Sequence, residues 1–196
     1  VYYAPIIPML LVNGSKGIGT GFSSDIMSYN PLQIIDYVSG LLRKRPQTEL
    51  PIIEPYFEGF KGTVEKINES KYLIKGCYDI ISEKQVRVTE LPVGTWTDTY
   101  KQELETLIDK SNNKTDKKSK TTKAKQHIVD YTDMSTDTSV DITVTFTNGV
   151  INSLLIKETE YGCNALEKLL KLYTTKTTTN MHMFDESERL KKFENI

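Results

Sequence analysis

The chain has 196 residues, of which 38% are hydrophobic, with a formal net charge of −1 and a mean hydropathy of −0.40. These values exclude a disordered polymer, and no run approaches the ~20 apolar residues of a membrane span. The near-neutral total hides an asymmetry: residues 110–125 hold seven Lys and one Asp, leaving 18 basic and 25 acidic residues elsewhere, so a phosphate-facing basic surface is not excluded. Val1-Tyr2-Tyr3 offers no basic segment or cleavage site of a secretory leader, and the chain reads as an internal piece of a longer protein. Cys77 and Cys163 are too far apart in sequence to suggest a disulfide framework, and fit buried thiols of a reducing, intracellular compartment.

The first thirty residues are two short β-prone runs separated by glycines, and Pro5, Pro8 and Pro31 are expected to keep this region out of helix. Asn30-Pro31 then starts the first clear helix, with Asn30 as its cap and Leu32, Ile34, Ile35, Val38, Leu41 and Leu42 at helical spacing. Arg43-Lys44-Arg45 suits its C-terminal end, and Pro46 ends it. Strands are predicted over residues 62–67, 72–81 and 85–90, with turns at 68–70 and 82–84. A helix is predicted over 97–109, with Thr97 as its cap, followed by a flexible, poorly ordered lysine-rich insertion at 110–125. A strand follows at 140–146 with a tight turn at Asn148-Gly149. A helix spans 164–172, a threonine-rich strand 174–179, and a final hairpin pairs 181–184 with 190–193. This pattern predicts an α+β fold, mostly antiparallel sheet with packed helices, preceded by a glycine-rich β-loop. The expected division is 1–58, carrying the loop and first helix, and 59–196, carrying the remaining α+β domain with its insert.

Enzyme signatures are largely missing. Residues 14–21 lack the lysine and hydroxyl of a P-loop, and Phe22 stands where a dinucleotide fingerprint needs its third glycine. His127 and His182 sit in no metal-ligand spacing, and read as structural or solvated residues. No nucleophile, metal site or small-molecule substrate is expected in this piece.

Three clusters do suggest nucleic acid. In the first, Ile18 stands between Gly17 and Gly19, beside Lys16 and Thr20. An apolar residue on a glycine-supported loop next to a cation has the composition of a wedge that unstacks a base step. On the residues alone, a core isoleucine beneath a turn is the commoner reading. In the second cluster, Thr95, Trp96, Thr97, Tyr100 and Lys101 open a helix, where hydroxyls and backbone N–H groups suit a phosphate. Trp96 is there either an aromatic platform or a core anchor. In the third, Lys171, Thr174, Thr175, Lys176, Thr177 and Asn180 line a strand that could track a sugar-phosphate backbone, or simply a solvated threonine strand.

These clusters, in this order, resemble the breakage–reunion region of eukaryotic-type type IIA DNA topoisomerases. The resemblance runs through Pro5-Ile6-Ile7-Pro8-Met9, Val12-Asn13-Gly14, Gly17-Ile18-Gly19-Thr20-Gly21, Tyr29-Asn30-Pro31, Phe60-Lys61-Gly62-Thr63, Thr89-Glu90-Leu91-Pro92-Val93 and Thr95-Trp96-Thr97. It continues through Asp130-Tyr131, Thr136-Asp137-Thr138, Asn180-Met181, Phe184-Asp185 and Leu190-Lys191-Lys192-Phe193. It implies the tower part of the DNA gate of an ATP-dependent strand-passing enzyme. Ile18 would be the intercalating, DNA-bending residue. Lys16, Thr20, Trp96, Thr97, Lys171, Thr174, Thr175, Lys176, Thr177 and Asn180 would contact double-stranded DNA. The cleaving tyrosine, magnesium carboxylates and ATPase would lie outside the piece, so Mg2+, ATP and homodimer formation are expectations for the full-length enzyme. Phe22 in place of a usual tryptophan, Lys16 in place of an acidic residue, Gly94 in place of an arginine, and the insert mark a divergent member, with a large DNA virus as one candidate source. The implied location is the nucleus of a eukaryotic cell, or host cytoplasm or virion for a virus. No membrane partner is implied. The alternative reading is a standalone, non-catalytic nucleic-acid-binding module.

Overall fold

The computed structural model describes residues 4–112, 127–185 and 187–193. The chain forms two compact units: one comprises the residues up to Gly59 with Lys66–Tyr72 and the chain from Lys176 onward, the other Phe60–Glu65 and Leu73–Thr175.

In the first unit, helix α1 spans Met9–Asn13, contrary to the expectation that prolines keep this region out of helix. Pro8 sits at its N-cap, where the N–H that proline lacks would have had no partner anyway. Strands β1 (Ser15–Gly19) and β2 (Phe22–Ile26) form an antiparallel hairpin closed by Thr20-Gly21. Gly21 holds φ +86°, a conformation that side-chain-bearing residues rarely adopt. Helix α2 spans Pro31–Leu42, and the Asn30 side chain accepts the Leu32 N–H at 2.9 Å. Only Ile34 and Gly40 of this helix are buried; Leu32, Ile35, Leu41 and Leu42 are exposed, so the apolar face read from its spacing is largely uncovered.

Strands β3 (Thr63–Asn68) and β4 (Lys71–Lys75) are followed by β5 (Cys77–Ser82) and β6 (Gln85–Glu90). The single strand expected over 72–81 is two strands, broken at Gly76. A Cβ there would stand 2.2 Å from the Glu90 carbonyl oxygen, and the Gly76 N–H donates to Leu172 O at 2.8 Å. The chain therefore leaves one sheet and enters another at the one residue small enough to permit it. Helix α3 spans Thr97–Asn112. Its first bond runs from the Tyr100 N–H to Trp96 O, so Trp96, not Thr97, occupies the capping position. The predicted insertion lies mostly outside the described residues.

Beyond it come β7 (Ile128–Asp133), β8 (Ile142–Phe146), α4 (Val150–Ile156), α5 (Ala165–Leu169) and β9 (Tyr173–Thr177). Strand β7 and helix α4 were not predicted. Gly149 is left-handed as expected of Asn-Gly, but it starts α4 instead of closing a hairpin. Helix α5 is shorter than predicted, ending at Leu169 with Leu170 as its cap and Lys171 at φ +50°. Its start is a capping box: Asn164 Oδ1 accepts the Glu167 N–H and Glu167 Oε2 accepts the Asn164 N–H, both at 2.8 Å. Strands β10 (Met181–Phe184) and β11 (Leu190–Phe193) form the predicted final hairpin.

The sheets run β1-β2, β3-β4-β9, β5-β6-β8-β7 and β10-β11, and the pairs within the four-stranded sheet and both hairpins are antiparallel. The fold is mixed α and β with mostly antiparallel sheet, as the sequence pattern predicts. One core fills the second unit, where Val86, Val88, Ile142, Val144 and Phe146 of the sheet pack with Tyr100 and Leu104 of α3, Ile151 of α4, and Leu166, Leu170 and Leu172. Cys163 is buried and Cys77 half-buried, both free thiols; burial raises the pKa of each. Among the described residues, no helix is long and apolar enough to cross a membrane.

Candidate nucleic-acid interface

The candidate residues divide between the two units, and each part is built differently. In the first unit, every residue of β1 is exposed. Ile18 is 92% exposed, directly across from Ser23. It is not the core residue that composition alone favours. Lys16 lies two residues before it on the same strand, so alternation places both on one face. Lys16 makes no ion pair with a described residue, and Asp25, its cross-strand partner, is bound by Lys176 at 3.3 Å. Thr20 sits in the exposed turn.

Two other candidates meet this hairpin from far along the chain. Lys176 binds Asp25, and Asn180 donates from Nδ2 to Ser23 Oγ at 2.8 Å. The Asp25 N–H donates to Asn180 O at 2.8 Å. Lys176 and Asn180 thus spend polar groups on the protein, where the sequence suggested only outward contacts. Thr177 is exposed, while Thr178 is buried and its N–H donates to Ser70 O at 2.9 Å.

In the second unit, Trp96 is 79% exposed, so it too is not the core anchor its composition allowed. With Thr95, Lys171, Tyr173 and Thr174 it lines a concavity of about 380 Å³. Glu103 lines the same hollow and holds Lys171 Nζ at 2.6 Å. Lys101, at the helix start, is bound by Asp98 at 3.0 Å and by Asp133 at 3.2 Å; the hydrogen bonds to Asp98 and Asp133 raise its pKa. Thr97 and Thr175 are half-buried. Trp96 therefore stands beside a lysine, Lys171, that a carboxylate of its own unit engages, whereas Lys16, beside Ile18, makes no ion pair with a described residue.

Sequence reasoning passed over Ser23, Ser24, Asp25 and His182. The one available signal was that Asn180 and His182 are two residues apart and so share a side. Their partners lie some 158 residues away, which no local pattern reveals. Among the described residues, no three or more His, Cys, Asp or Glu side chains are grouped to hold a metal ion.

A family model for the A subunit of DNA gyrase/topoisomerase IV matches residues 1–196. DNA topoisomerase 2 of Pisum sativum is 40% identical over 194 residues, covering 98% of this chain and 12% of that protein. DNA topoisomerase 2 of Acanthamoeba polyphaga mimivirus is 33% identical over 240 residues, covering 99% of this chain and 18% of that protein. The crystal structure of the Plasmodium falciparum topoisomerase II DNA-binding, cleavage and re-ligation domain superposes with a TM-score of 0.83 at 34% identity, covering 99% of this chain and 24% of that one. The chain spans between 12% and 18% of the length of the two full relatives. On a match that takes in every residue, with the fold to go with it, the chain belongs to the DNA gyrase/topoisomerase IV family of type II DNA topoisomerases.

Proposed function

We propose that this chain is the part of an ATP-dependent type II DNA topoisomerase that grips and bends one duplex, so that the enzyme can pass another through a transient double-strand break. The observation that carries this reading is Ile18, almost fully exposed on a glycine-turned hairpin. An isoleucine left in water forgoes about 1.5–3 kcal/mol of burial, which an unstacked base step would recover. Kinking a duplex costs several kcal/mol, offset by the backbone contacts the bend makes possible. Lys16 and Thr20 would hold phosphates beside the wedge. Trp96, Thr97, Lys171, Thr174, Thr175, Lys176, Thr177 and Asn180 would contact the duplex elsewhere. Within the chain, residues 1–58 would deliver the wedge and 59–196 the tower.

The relatives' name, DNA topoisomerase 2, and the solved neighbour's DNA-binding and cleavage roles support this reading over a standalone binding module. Mg2+, ATP hydrolysis and the cleaving tyrosine are assigned to the rest of the enzyme. Homodimer formation, and a nuclear or viral setting, belong to that whole protein as well. In the full-length enzyme, Ile18→Ala is expected to abolish most of the DNA bend and lower cleavage, while ATP hydrolysis without DNA continues. Energy transfer between dyes on the two duplex ends reads the bend. An undiminished bend in this variant would remove the wedge role.

A further inference from the structure

A two-stranded hairpin is marginal in water on its own, yet a wedge that unstacks bases must resist being pushed back. β1 is exposed throughout, so resistance has to come through β2. Among the described residues, the far edge of β2 has no ladder partner in the sheet order. It is held instead by a clasp of polar bonds from residues 180–182. Asn180 donates to Ser23 Oγ at 2.8 Å, and its carbonyl accepts the Asp25 N–H at 2.8 Å. Ser24 Oγ donates to His182 O at 3.0 Å and accepts the His182 N–H at 3.3 Å. At the centre, His182 Nδ1 lies 3.0 Å from Ser23 O and 3.2 Å from Asn180 Oδ1. A backbone carbonyl can only accept, so Nδ1 carries the proton and donates.

From this geometry we infer that His182 is a positioning residue for the Ile18 wedge. Its ring locks Ser23, the cross-strand partner of Ile18, and orients the Asn180 amide that holds the same residue. The ring also lies against Phe22, centroids 6.4 Å apart, so it touches both β2 residues next to the turn. His182 acts through Ser23 and touches no DNA in this role. The inference rests on the wedge reading for its purpose, while the clasp itself can be read without it.

The test uses the full-length enzyme in three forms beside the natural one. His182→Leu keeps bulk but removes the donor. His182→Asn places an amide N–H near the position of Nδ1. Ile18→Ala is the reference for a lost wedge. The bent fraction of a dye-labelled duplex is expected to fall roughly fivefold in His182→Leu, the effect of one lost hydrogen bond, and to recover to within about twofold in His182→Asn. Hydrogen exchange over residues 22–26, followed by mass spectrometry, is expected to speed up in His182→Leu and not in His182→Asn. If Ile18→Ala loses the bend and His182→Leu keeps it, the positioning role is overturned and the wedge stands. If Ile18→Ala keeps the bend, the wedge reading falls; faster exchange in His182→Leu alone then still upholds the clasp, and equal exchange in both His182 variants overturns it. Should His182→Leu not fold, Ser24→Ala, which removes the hydroxyl bonds to the His182 main chain, carries the same expectations for bend and exchange.

Discussion

The Ile18 hairpin and the core of the second unit are held by opposite means. The core closes on apolar side chains from four strands and three helices, with Val86, Val88, Ile142 and Val144 fully buried. Such packing is non-directional, and its strength follows the area removed from water. The hairpin buries only Ile26 of its ten strand residues and is located by directed polar bonds from residues 176–182. A core of the first kind supplies stability without needing to present anything. A device of the second kind can hold an isoleucine out in water at a set position. Substitutions should therefore separate the two: core changes should cost stability and hairpin changes should cost function.

The largest effect is expected from Leu104→Ala, which empties a fully buried position beneath α3. Denaturant unfolding should show a loss of about 2–5 kcal/mol, the range for such cavities. Ile18→Ala, which removes an exposed side chain, should stay within about 0.5 kcal/mol of the natural chain in the same assay. A large loss of stability in Ile18→Ala would break the contrast.

A smaller effect is expected from Asn164→Ala. It removes half of the α5 capping box and the 3.0 Å bond that Nδ2 donates to the Tyr78 hydroxyl. The loss should be about 1 kcal/mol by the same unfolding measurement, with DNA bending unchanged. Here a polar bond serves the core unit, so the result shows whether stability follows the unit or the kind of bond.

Local chemistry was legible in the sequence, and long-range chemistry was not. Asn30-Pro31 announces α2 because a cap and an N1 proline act within one turn, and 181–184 pairs with 190–193 because hairpin register is a local matter. Strand β7 went unread because its partner β8 lies across the intervening residues 134–141, which a strand-by-strand reading does not link to it. The break at Gly76 depends on the Glu90 backbone standing against it, which no window around residue 76 contains. Ile18 and Trp96 were found by type and order. Their exposure could not be read, since an isoleucine or a tryptophan beside a turn is as easily buried as presented. His182 reads only as structural or solvated because, of the two groups its ring nitrogen meets, Asn180 is a near neighbour in sequence while Ser23 comes from the opposite end of the chain.

The smallest effect concerns pH. Arg87 donates from Nε to Asp141 Oδ1 at 2.7 Å and from Nη2 to Oδ2 at 2.5 Å, a two-pronged geometry that lysine cannot reproduce. The Arg87 hydrogen bonds hold the Asp141 carboxyl below its ordinary value of 3.8. Asp133 is likewise lowered, chiefly by the Ser135 hydroxyl and N–H and then by Lys101. A carboxylate whose pKa is lower in the folded state binds protons more readily when unfolded. Its contribution to stability is therefore complete above the unfolded pKa near 4 and is lost as pH falls through the lower, folded value. Unfolding midpoints should be flat from neutral pH down to about pH 5 and decline below about pH 4, and Asp141→Asn should shallow that decline while already lowering stability at neutral pH. The decline should stay small because the Arg87–Asp141 pair is open to solvent, which screens it. Bending by the Ile18 hairpin should not follow this acid limb in the range where the second unit stays folded, since neither carboxylate belongs to the unit that carries the wedge. A bend that faded in step with Asp133 and Asp141 protonation would mean that the hairpin's placement depends on the apolar unit after all.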